Sequence, residues 1–185
     1  MLRIADLHIP IESATLDLLL LGDEMIWGFT VIAGRFHQGD IDWPGVRVDS
    51  AGLFTTGSGT LNHWTDLTET SVTWGELEDN DVVPHAMIYV FEHELVQNGS
   101  AMVGVGGSAI HLELLGKCNI YFNERYDTDL DLSLKTELKL SPIMCGRDDE
   151  RECWESLAQH LDPNLFNYAQ DEYGVSMLVP KDERR

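Results

Sequence analysis

The sequence predicts a β-rich α+β fold: a mainly antiparallel sheet, sandwich or open barrel, with one or two C-terminal helices packed on it. Three observations carry this. From Leu130 to Leu140, Leu130, Leu132, Leu134, Thr136, Leu138 and Leu140 alternate with Asp131, Ser133, Lys135, Glu137 and Lys139, the period of a strand wetted on one face. Clusters of Gly, Asp and Asn recur between short apolar or β-branched runs as far as Pro142. After Pro142 the spacing turns helical, with Cys153, Trp154, Leu157, Ala158 and Leu161 on one stripe. At 185 residues, 43% hydrophobic, the chain can bury a core as a single domain, 1–185, with a β-rich region 1–142 and a helical C-terminal region 147–174.

Taken in order, the apolar runs 15–21 and 25–33 flank Gly22-Asp23-Glu24, which has the length of a hairpin connection, and form the first strand pair. Residues 34–45 carry Gly34, Gly39, Pro44 and Gly45 and read as a loop in which Trp43 packs locally. Strands follow at 46–56 and 61–74, and the charged run 76–81 makes a solvated turn. Residues 85–95 look covered on both faces, as a central strand is. Gln97-Asn98-Gly99-Ser100 turns the chain. The glycines of 103–108 mark a kinked strand, since no helix pattern follows to bind phosphate. Residues 110–115 and 118–122 form two short alternations or one long bulged strand, and a hairpin of 118–122 with 130–140 is the sharpest topological expectation. Asp148, Asp149 and Glu150 suit a helix N-terminus. Asp162-Pro163 starts a second short helix reaching Gln170, with Leu165, Phe166 and Ala169 inward, and 175–179 adds an edge strand.

Charge sets the expected partner. With 32 acids against 12 Lys and Arg, a formal charge of -20 argues against binding nucleic acid through phosphates and against anionic membranes. No Lys or Arg occurs from Val48 to Gly116, while Asp49, Asp66, Glu69, Glu76, Glu78, Asp79, Asp81, Glu92, Glu94 and Glu113 all do. Such a segment cannot neutralise itself, so a basic protein is the expected partner. Asp66, Glu69, Glu76, Glu78, Asp79 and Asp81 are the candidate contact residues. The expected role is that of a non-enzymatic acidic domain that inhibits a basic partner, as toxin-neutralising immunity proteins do, from a monomer or small homo-oligomer.

The alternative is a small metal-dependent or ligand-binding β-barrel enzyme. His111 and Glu113 lie two apart on a predicted strand, and His93, between Glu92 and Glu94, adds a third ligand if its strand is adjacent. No His-Glu-x-x-His, Gly-x-Ser-x-Gly or cofactor-binding motif occurs, so no cofactor is expected. Cys118, Cys145 and Cys153 match no zinc spacing and suit reduced cytosol, and Cys145, beside Gly146 and Arg147 in a predicted loop, is the reactive candidate. Glu12, Asp17, Asp66 or Glu69 would be half of a glycosidase pair only if a sugar cleft existed near Trp43, Trp64 and Trp74. No signal-peptide pattern or membrane-length apolar run is present, and a cytoplasmic setting is expected.

Overall fold

The computed structural model describes residues 1–21, 24–38, 41–56, 66, 70–76, 85–106, 109–145 and 149–181. The expected class holds: a curled, mostly antiparallel sheet forms a half-barrel with one helix packed on it. In chain order the strands are β1 (Leu2–Ile4), β2 (Leu7–Ile9), β3 (Ile11–Leu21), β4 (Glu24–Ala33), β5 (Phe36–Gln38), β6 (Ile41–Trp43), β7 (Val46–Thr56), β8 (Thr70–Thr73), β9 (Met87–Tyr89), β10 (His93–Leu95), β11 (Gln97–Gly106), β12 (Ala109–Cys118), β13 (Leu130–Leu140) and β14 (Ile143–Cys145). The helix α1 (Glu150–Leu157) follows, then β15 (Phe166–Gln170) and β16 (Ser176–Pro180).

The leucine strand β13 is the corner of the sheet. It pairs antiparallel with β12 from Cys118↔Leu130 to Ile110↔Leu138, and with β1 on its other side. Its last residues, Lys139 and Leu140, instead run parallel to Thr15 and Leu16 of β3, and β14 continues along β3 at Met144↔Leu19. One half of the sheet is therefore β2-β1-β13-β12-β11-β8 and the other β15-β16-β14-β3-β4-β7-β9-β10. Leu130, Leu132, Leu134 and Leu138 face inward and meet Leu16, Leu18 and Leu20 of β3, Trp27 and Phe29 of β4, and Leu112 and Leu114 of β12 in one buried cluster. Each such side chain contributes about 1.5–3 kcal/mol when removed from water, which is why strict alternation fixes the strand's facing.

Several expectations held and several are corrected. The first hairpin, β3 with β4, forms as predicted and extends back to Ile11. The partner of 130–140 is not 118–122 but the whole of β12, which reaches Leu130 only at Cys118; residues 119–122 leave the sheet. Residues 85–95 are not one central strand. They fold into the short β9–β10 hairpin at the sheet's end, turning at Val90-Phe91-Glu92 without a glycine or proline to signal it. The segment 97–100 opens β11 rather than ending a strand, with a bulge and a left-handed Asn98 at φ 45° absorbing the irregularity. Within 34–45 a small β5–β6 hairpin forms. Its Trp43 packs on Phe36, but also on the distant Phe122 and Tyr126.

The second helix is absent. Asp162 does cap a turn at Pro163–Leu165, but that turn is 3-10 and gives way to β15, which pairs with β16. Pairing with a waiting strand satisfies more backbone groups than one further helical turn. The C-terminal region is thus one helix and a β-hairpin; α1 begins where the carboxylates suggested, with Asp149 Oδ1 accepting from Glu152 N at 3.1 Å.

A candidate binding groove and an acidic seam

The outer face of β3, β4, β7 and β9 forms a groove of about 670 Å³. Strand register builds it. Asp17 stands opposite Gly28, Leu19 opposite Ile26, Thr30 opposite Asp49 and Asp49 opposite Met87, all on the face turned away from the core. His93 of β10 and Met144 of β14 complete the rim, with Met144 49% exposed. A bulge lies at the centre: β7 advances from Ser50 to Phe54 while β4 advances only from Phe29 to Trp27. The extra residues ride over Gly28, where a Cβ would sit 2.0 Å from the Ser50 carbonyl oxygen. Bulges of this kind redirect side chains beside binding sites.

The two groove carboxylates are held differently. Arg47 Nε lies 2.5 Å from Asp49 Oδ2, so that charge is met within the chain. Asp17 is part-buried; its Oδ2 accepts from Thr30 Oγ1 at 2.7 Å, and no cation pairs with it among the described residues. The His93 ring lies 4.7 Å from that of Tyr89.

A second feature is the seam where the two ends of the curled sheet meet. Val96 N–H donates to the Ala86 carbonyl, Trp74 Nε1 donates to the Val96 carbonyl at 2.7 Å, and Trp74 N–H donates to the Gly99 carbonyl. The rings of Trp74 and His85 are 5.2 Å apart. These contacts bring β9 and β10 alongside β8 and β11, so stretches of the segment without Lys or Arg that stand at opposite ends of the sheet adjoin in space. Glu76 is exposed beside Trp74, Glu94 of β10 is part-buried, Glu92 is exposed at the tip of the β9–β10 hairpin, and none has an ion-pair partner among the described residues; Glu113, on β12, reaches Lys135.

Of the predicted contact residues, Asp66 and Glu76 are exposed, while Glu69, Glu78, Asp79 and Asp81 lie outside the described residues. Of the metal candidates, His111 and Glu113 share the outer face of β12, His111 opposite Gly104, and Glu113 is engaged by Lys135. His93 is in the other half of the sheet, at the groove rim. No group of three His, Cys, Asp or Glu is placed to hold a metal among the described residues. Cys145 is not in a loop: it ends β14, buried. Burial pushes its thiol well up, reinforced by contact with the Cys153 thiol, and burial pushes Cys118 up to about 12 with the Glu94 charge adding to it. None of this prepares a thiolate nucleophile. Trp43 is buried in its aromatic cluster rather than offered to a sugar, and Trp64 lies outside the described residues.

A further cleft of about 530 Å³ contains Arg3, Lys117, Asp129 and Asp131, but it neutralises itself, with Lys117 Nζ 2.9 Å from Asp131. The groove around Asp17 was missed by sequence reasoning because its lining comes from six separated strands. The one available signal was an acid at an outward position between Thr15 and Leu19 in an otherwise apolar run. Compared with known proteins, the chain matches no family model, no curated protein sequence and no solved structure.

Proposed function

We propose that this protein is a non-enzymatic acidic binding domain that occupies and neutralises a basic protein partner, in the manner of toxin-immunity proteins. The observation that carries the reading is the seam: 69 consecutive residues, 48 to 116, without a Lys or Arg supply both ends of the curled sheet, and those ends adjoin. A surface of one sign steers an oppositely charged partner and rejects like-charged ones. Capture from the protein's own cells at low salt is expected to return a basic protein, with an association rate falling steeply as salt rises. A partner that is acidic, or an association rate indifferent to salt, would refute the reading.

A further inference from the structure

We infer that the groove over Gly28 is the docking point for an apolar segment of the partner carrying a Lys or Arg, whose cationic head meets Asp17. This rests on the reading of the protein as a binder of a basic partner and adds where, and through which chemistry, the partner is held.

A sheet half whose inner face already packs the core would ordinarily present polar residues outward. Here Leu19, Ile26, Met87 and Met144 project outward around the groove, and Leu21 and Ile32, on the outer faces of β3 and β4, are 47% and 41% exposed. Clustered apolar side chains on a wet face mark an interaction surface, and methionines adapt to irregular partners.

Charge then selects the occupant. Asp17 lines the groove beside Leu19 and Ile26 as well as the polar Thr30, Arg47 and Asp49; it has one hydrogen bond, from Thr30, and no ion-pair partner among the described residues, while the Arg47 guanidinium is held by Asp49. A part-buried carboxylate in apolar surroundings gains most from a donor that brings its own charge. A Lys or Arg side chain meets both needs, because its methylene stem lies along apolar surface while its head reaches the carboxylate. An acidic or purely polar segment would leave Asp17 uncompensated. Apart from Arg47, which Asp49 already holds, the β7, β9 and β10 side of the groove comes from the segment without Lys or Arg, so the groove opens beside the seam and a partner drawn there has the pocket within reach.

The test uses the full chain and two synthetic peptides of equal length and charge, one of lysines interspersed with leucines, the other of lysines interspersed with serines. Asp17→Asn keeps an oxygen for the Thr30 hydroxyl and so preserves the fold, which the thermal midpoint verifies. Glu124→Gln removes one charge from an exposed position outside the groove lining. The inference expects the leucine peptide to bind more tightly than the serine peptide. Asp17→Asn should weaken it about tenfold to a hundredfold, as loss of a charged hydrogen bond does, and Glu124→Gln less than about twofold, as an unpaired surface charge does. Met144→Gln, a neutral change of similar size at an exposed rim position, should weaken the leucine peptide and leave the serine peptide unchanged. If both peptides bind equally and Asp17→Asn behaves like Glu124→Gln, the groove is not the docking point while the acidic-surface reading stands. If neither peptide binds at low salt, both fall.

Discussion

Gly28 shows how much of this structure is decided by single atoms. Its backbone lies beneath the β7 bulge, and any Cβ would meet a backbone oxygen, Ser50 O, at 2.0 Å, with no side chain able to swing aside. Gly28→Ala is therefore expected to destabilise by about 2–4 kcal/mol, read by denaturant unfolding, because the bulge itself must move. A variant within a few tenths of wild type would mean that the bulge is loose and the groove floor unfixed. Cys118 makes a different statement. Its thiol is pushed from 9.0 to about 12, by burial first and by the Glu94 charge second. The folded state thus holds a proton that the unfolded chain releases, and the associated stability is complete below pH 9 and is lost as pH rises from about 9 towards 12. Stability measured at increasing pH should fall across that window, and fall less in Cys118→Ala compared with its own neutral value. An identical slope in both would assign the fall to other groups.

At the scale of elements, what could be read from the chain depended on how local the cause was. The leucine alternation of β13 is a one-strand property, and its facing followed directly; likewise β3 with β4, whose connection is two residues long, and α1, whose cap at Asp149 lies in its own first turn. Where the cause was tertiary, local signals misled. Asp162-Pro163 has the chemistry of a helix start and made only a 3-10 turn because β16 was available to pair with 166–170. β1 and β2 are three residues each, too short for an alternation to register; β1 is fixed by β13 next to it, and β2 by β1. The groove was illegible for the same reason, since register across separated strands is what brings Asp17, Thr30 and Asp49 together. This view makes β13 the element whose core matters most. Leu134 lies opposite both Leu2 and Leu114, so it is the middle of a three-strand apolar row. Leu134→Ala should cost about 3–5 kcal/mol in equilibrium unfolding, the range for a leucine whose neighbours cannot collapse into the gap. Leu115→Ala, 57% exposed on β12, should cost less than about 0.5 kcal/mol. Comparable losses at the two positions would contradict the inward facing of the leucine strand.

For the whole molecule, an excess of negative charge works against the fold. A net charge of -20 on 10556 Å² of surface, spread evenly, leaves about 530 Å² per charge, or roughly 23 Å between neighbours. That spacing is shorter than the screening length of about 30 Å at 0.01 M salt and far longer than the roughly 8 Å at 0.15 M. Repulsion is therefore felt at low ionic strength and largely removed by physiological salt. Salt also weakens the favourable pairs, but Arg125–Asp6, Lys117–Asp131, Lys135–Glu113 and Arg151–Glu155 are all substantially exposed, and such pairs contribute about 0–1 kcal/mol each. Unscreened repulsion should dominate. The thermal midpoint is expected to rise by about 3–6 °C between 0.01 and 0.15 M sodium chloride, equivalent to about 1–2 kcal/mol for a chain of this size, and then to level off. A basic polypeptide bound at the seam should produce the same gain at 0.01 M salt and little extra at 0.15 M, because both act on one repulsive reservoir. A midpoint that instead falls with salt would mean that the ion pairs outweigh the excess charge, and that the acidic seam is not the strained, partner-seeking surface inferred from its sequence.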